Sequence, residues 1–286
     1  MSTIIERKIK VRGDKNYKIE LELYNSAVEV YEDCKSRKIT DHSFKDMARE
    51  SMGSFQGVKN YEEALGYLRN GYQPTVERLR EKLNIKDPGQ KRISFTNNVV
   101  GAAPVVPLAL KGVPNCMIDT KMKQIKCKVI DVYYDMTCSC GTESEDIIKN
   151  GQKLLGAILD LEHQGYRFNI YALQTYSNSS GADILAVKIK SSNQPLDLKR
   201  MSFPLTHTAF FRVIGFDWYS KFPKGTYRSC YGHALGYEFN KSECNKIIEE
   251  IFGTNAILII GKDILHEGEE HIREVLRDAG KKRTGK

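Results

Sequence analysis

Asp135, Thr137 and Ser139 are the residues whose types and spacing could do chemistry. They close the stretch Lys128 to Ser139, KVIDVYYDMTCS, where an apolar run ends in a carboxylate with hydroxyls two and four residues on. On alternate positions of an extended loop, three such side chains point the same way. Hard cations such as magnesium take oxygen ligands and keep several waters. The same residue types also cap helices and form turns. Because helical spacing follows from Ser144 to His163, a plain helix start is the competing reading.

Other reactive side chains stand nearby. Cys138 and Cys140 form a C-x-C, but a structural zinc site needs two such pairs and no second pair exists. Buried thiols are the simpler expectation, with Cys138 turned inward between outward-facing Thr137 and Ser139. A thiol nucleophile at a helix start, with His207 or His233 as partner, is a minor alternative. His207, between Thr206 and Thr208, reads as a histidine bonding to backbone at a helix start, or as a group orienting an anion or a metal-bound water. His266 and His271 are five apart, so the H-E-x-x-H zinc pattern is absent. No phosphate-binding glycine loop occurs, which leaves nucleotide binding without support. Trp218 with Phe210, Phe211, Phe216 and Tyr219 reads as an aromatic face turned to the core.

The elements that must position these residues follow from periodicity. Residues 4–11 and 17–23 alternate and pair as strands. Helices are expected over 26–35, 43–51, 61–68 and from Pro74 to Leu83. A Pro-rich connector, GAAPVVPLALKGVP, follows and is expected to pack along the second part of the chain. Strands are then expected near 128–134, 167–175, 183–190 and 256–260, with helices over 146–161, 241–252 and 265–279. A short helix over 195–201 and an amphipathic stretch over 206–219 lie between them, and residues 220–240 look like an insertion. The turn from Ser177 to Gly181 is too short for a parallel crossover, so strand 183–190 runs antiparallel to its neighbour, at the sheet edge. Strands alternating with helices imply a mostly parallel sheet covered on both faces, with ligands beyond the C-terminal strand ends. Asp135 and Asp263 both fall there. The domain reading is a mainly helical region over 1–95, a connector over 96–115, an α/β domain over 116–280 and a basic tail over 281–286.

Composition bounds the function loosely. The 286 residues are 41% hydrophobic and 28% charged, as in a globular protein. No apolar run nears the roughly 20 residues that span a bilayer, so no membrane partner is expected. The N-terminus lacks the pattern of a signal peptide, and the seven cysteines read as reduced thiols of a cytoplasmic protein. A net charge of +8 permits nucleic acid as a partner without requiring it. The oligomeric state is not legible.

The second part resembles a von Willebrand factor A-type domain, a Rossmann-like fold whose metal-ion-dependent adhesion site begins D-x-S-x-S. Asp135-x-Thr137-x-Ser139 stands at the matching strand end. In that family a helix, a strand and an antiparallel edge strand follow, then a loop with a ligand Thr. Phe203 to Ala209, FPLTHTA, occupies that place, with Thr206 matching and Thr208 as substitute. A last ligand Asp follows a later strand, and Ile260-Gly261-Lys262-Asp263 fits by position, with G-K-D where the family has T-D-G. The resemblance implies Mg2+ or Mn2+ held by Asp135, Thr137, Ser139, Thr206 and Asp263, with one coordination position left for the acidic residue of a partner protein. The run Leu205 to Arg212, with Gly215-Phe216, is also similar to an uncharacterised family of bacteriophage-encoded proteins, which implies a host cytoplasm or a virion as location. The expected function is thus a metal-assisted interaction module. The alternatives are a metal-dependent enzyme or binding protein acting on nucleic acid or phosphate esters, and a phage structural or host-interaction protein with a vestigial site.

Overall fold

An antiparallel pair opens the chain, Thr3–Lys10 (β1) with Asn16–Tyr24 (β2). This is a computed structural model, and it describes the chain except for residues 1, 12, 14–15, 42–45, 47–52, 84–92, 123–127, 224–232 and 283–286. The helix expected over 43–51 falls almost wholly outside the described residues. The other sheet strands are Lys128–Asp135 (β3), Tyr166–Asn178 (β4), Gly181–Lys190 (β5) and Ala256–Ile260 (β6). Their order is β1-β2-β5-β4-β3-β6. β3 runs parallel to both β4 and β6, and β5 runs antiparallel to β4. The sequence places these strands correctly because each apolar run is short and bounded by turn residues.

One expectation about β5 needs correcting. It is antiparallel to β4, but it is not the edge. β2 pairs with it in parallel from Lys18↔Gly181 to Tyr24↔Val187, so the N-terminal hairpin extends the same sheet. The chain accordingly divides into Met1–Leu83 with Lys128–Lys286 as one unit, and Asn84–Cys127 as another. The second unit carries a small antiparallel sheet of Ile93–Asn98, Met117–Met122 and Ala103–Pro104. The expected boundaries near 95 and 115 fall inside that unit, because strand pairing between 93–98 and 117–122 has no signal in local composition.

Helices cover both faces of the large sheet. Ala27–Ser36 (α1), Tyr61–Asn70 (α2), Gln73–Leu83 (α3), Ser144–His163 (α4), Leu198–Thr206 (α5), Phe216–Lys221 (α6), Lys241–Phe252 (α7) and Gly261–Lys282 (α8) are the main ones. α8 is broken at Gly268, where φ is 78°, a conformation that suits glycine. A π-helical turn, Phe210–Gly215, leads into α6. It lies where the sequence shows an amphipathic stretch, but every residue from Phe210 to Lys221 is buried.

Side-chain alternation along β3 divides the core in two. Ile130, Val132 and Tyr134 face the core built with α4, α5, the π-helical turn and α8. Tyr133 faces the other, with Leu173, Ile184, Leu235, Leu258, Ile260 and the α7 residues Cys244, Ile247 and Ile248. α5 lies hard against α4 at Gly151, where an added Cβ would stand 2.1 Å from the Leu205 carbonyl oxygen. Only glycine permits that approach. Fully burying each leucine of α4, such as Leu154 or Leu155, contributes about 2 kcal/mol.

Candidate functional site

The C-terminal end of β3 carries the residues singled out by the sequence. Asp135 shares a face with Tyr133, two residues before it, and therefore with the α7 side of the sheet. Asp135, Thr137 and Thr175 are all 0% exposed. Their bonds form a clamp across β3 and β4. Asp135 Oδ1 accepts the Thr137 N–H at 3.0 Å and Oδ2 accepts the Thr175 hydroxyl at 2.8 Å. Thr137 Oγ1 accepts the Thr175 N–H at 2.8 Å, and Thr175 Oγ1 accepts the Leu235 N–H at 3.0 Å. The carboxylate and both hydroxyls thus satisfy backbone groups that would otherwise be stranded at a strand end.

The other expected metal ligands lie elsewhere. Thr206 ends α5, in the core on the opposite side of the sheet from Asp135. Its hydroxyl donates to the Ser202 carbonyl at 2.6 Å and lies 3.1 Å from Thr75 Oγ1. Thr208, the substitute, donates to the Ser144 carbonyl at 3.2 Å. Ser139 Oγ accepts the Gly141 N–H at 3.3 Å in a local turn. Asp263 stands at the same end of the sheet as Asp135, since Ile260 pairs with Asp135. Its carboxyl lines a small cavity with Leu258, Ile264, Glu267 and His271. Thr206, Thr208 and Ser139 thus each bond to backbone within the fold. Among the described residues, no three His, Cys, Asp or Glu side chains gather where a metal could be held.

A cation of the protein's own occupies the neighbourhood instead. Arg212, on the π-helical turn, is 1% exposed. Its Nη2 donates to the carbonyls of Ser139 at 3.0 Å and Thr142 at 2.9 Å, and Nη1 donates to the Phe55 carbonyl at 2.6 Å. The guanidinium carbon sits 4.0 Å from the centre of the Phe55 ring. Burial lowers its pKa from the ordinary value. Among the described residues it makes no ion pair, so its charge is held by carbonyl dipoles and a ring face. The π-helical geometry packs Gly215 against the Gln174 side chain, where an added Cβ would lie 1.7 Å from Oε1.

Two of the nucleophile candidates, Cys138 and His207, are silenced by burial, while Cys140 is exposed. Cys138 is 6% exposed, and desolvation pushes its thiol up to about 11, so it stays protonated near neutral pH. It faces the α4 side with Met136 and Tyr134, while Thr137 is equally buried on the other side. The expectation of an outward Thr137 fails because β4 and the segment at Leu235 cover that face. His207 is 1% exposed among Tyr67, Tyr72 and Phe203. Its Nδ1 accepts the Ala209 N–H at 3.1 Å, and burial lowers its pKa to about 4.

Sequence reasoning missed two residues of this site. Thr175 carried a signal, a hydroxyl on an otherwise apolar strand face shared with Tyr171 and Leu173. Arg212 carried a stronger one, a single charge inside FFRVIGF.

The fold and site together define a mixed α/β protein with a polar clamp at the end of its central strand and a buried arginine beside it. The family model described as a domain of unknown function (DUF7192) matches residues 6–283, and the chain belongs to that family. No curated protein and no solved structure matches it.

Proposed function

We propose that this chain is a non-catalytic partner-binding module that presents the loop Ser139–Glu143 at the C-terminal end of β3. Arg212 carries the reading: it supplies beneath that loop the positive charge that a divalent cation was expected to supply. A recognition loop is useful when it is held in one shape before the partner arrives. Three carbonyls tied to one buried guanidinium would achieve this without a metal. Glu143 is exposed at the end of the loop, with Glu145 exposed next to it and 2.9 Å from Lys149, so the fitting partner side chain is basic rather than acidic. The same reading gives the module an A-type fold. It is supported by the strand-end position of Asp135, the helix that follows it, and the antiparallel β4–β5 pair. The test combines capture with calorimetry. Partner capture from a native extract is expected to survive EDTA and to be lost with Glu143→Lys plus Glu145→Lys. Titration of Mg2+ or Mn2+ is expected to give no binding heat. Capture abolished by EDTA and restored by Mg2+ returns the metal-assisted module. Metal-dependent hydrolysis of nucleic acid or phosphate esters, removed by Asp135→Ala, replaces the module with an enzyme.

A further inference from the structure

β6 ends the large sheet and pairs only with β3 among the described strands. Its five residues, AILII, contain no charge and no proline. Natural proteins usually protect such edges with lysine, proline or a bulge, because unpaired N–H and C=O groups are a template for another strand. The β3–β6 register runs from Asp131↔Ala256 to Asp135↔Ile260 with no bulge. α7 packs on one face of the sheet and α8 on the other. The edge therefore forms the floor of a groove between two helices. That groove has a volume of about 1040 Å³ and reaches Ala256, Ile257 and Leu258 of β6 together with Val129 of β3 and Asn169 of β4, while Ile259 and Ile260 lie buried beyond it.

Charge says which strand would fit. Glu249 of α7, Asp278 of α8 and Asp131 of β3 line the groove near the Ala256 end. Among the described residues the lysine that lines it, Lys241, lies 3.5 Å from Glu267 of α8 in an ion pair that spans the Ile260 end. A protein of net charge +8 thus presents a locally acidic groove that is bridged at one end and open at the other. A second copy of this chain would bring the same acidic rims together, which is unfavourable.

We infer that the free edge of β6 is a docking site for an extended basic segment of a partner protein, added as a further strand. Backbone pairing supplies the affinity, apolar side chains of alternate residues enter the groove, and basic residues meet its rims. This site is separate from the β3 loop and does not depend on the function proposed for it.

The probe is a fluorescent peptide of alternating Lys and Val, measured by anisotropy with the full chain. Saturable binding is expected, together with slowed amide hydrogen exchange over residues 256–260. The same peptide N-methylated at every residue, which has no N–H donor left on either edge and cannot pair as a strand, is expected not to bind. Glu249→Lys with Asp278→Lys is expected to weaken binding roughly tenfold, with a matching loss of salt dependence. Equal binding of the N-methylated peptide would overturn the inference, because charge alone would then suffice. No binding, or binding that leaves exchange at 256–260 unchanged, would also overturn it. A dimer of the free protein in light scattering, with these amides already protected, would assign the edge to a second copy instead.

Discussion

The two parallel neighbours β3 and β6 end side by side, yet their polar groups meet opposite fates. At the end of β3, Asp135, Thr137 and Thr175 bond to one another and to backbone. Along the outer side of β6, the ladder groups face a groove with no strand partner among the described residues. The difference teaches that a polar motif at a strand end is not by itself a site. A motif whose oxygens bond to neighbouring backbone stabilises the fold, while an apolar strand with no partner on one side among the described residues keeps ladder groups for another strand.

The largest expected effect breaks the β3 clamp. Asp135→Ala strands the Thr175 hydroxyl and the Thr137 N–H in a buried place and should cost about 3 kcal/mol, seen as a lower urea midpoint at unchanged slope. A fold left intact by that substitution would mean that the carboxylate serves a ligand rather than the strands.

A change of pH probes another closed region, the cage around His207. The folded-state pKa of His207 is about 4, against an ordinary value of 6.5. The group is therefore depressed, and the unfolded chain takes up its proton first as pH falls. Stability is full above about pH 6.5 and is lost between there and pH 4, by up to ~3 kcal/mol. His207→Phe should remove this slope from the difference between the two denaturation series.

Arg212→Met sharpens the comparison from the loop side. Losing one buried donor group for three carbonyls should cost about 2 kcal/mol and speed amide exchange over residues 139–143. Gly151→Ala, which pushes a methyl into the Leu205 carbonyl, should cost about 1–3 kcal/mol in thermal unfolding. The smallest effect belongs to β6. Glu249→Lys on the exposed rim should leave the thermal midpoint unchanged while weakening capture of a basic strand.

Much of this was legible in the residues. The runs that became β3, β4, β5 and β6 are short, apolar and bounded by turns, and the tight Ser177 to Gly181 turn gave the antiparallel β4–β5 pair. α7 begins at Asn240 with Glu243 in a capping box, which explains why its start was visible. The placement of Asp135 and Asp263 at one end of the sheet was also legible, because both follow parallel strands. The convergence of Thr206 with them was not, because nothing local says which face of the sheet a later helix will cover.

The sequence by itself determined the elements, the mixed α/β class and the polar character of the β3 end, since these depend on near-neighbour periodicity and on residue type. Only the tertiary structure decided that β2 joins β5 and removes its edge, that Asp135 and Thr206 lie on opposite faces, and that β6 pairs on one side alone among the described residues. The β2–β5 and β3–β6 pairings join residues more than a hundred positions apart, and the two faces are set by contacts between separate elements. Such contacts are fixed when two cores close on the two sides of a sheet, an event that no local pattern records.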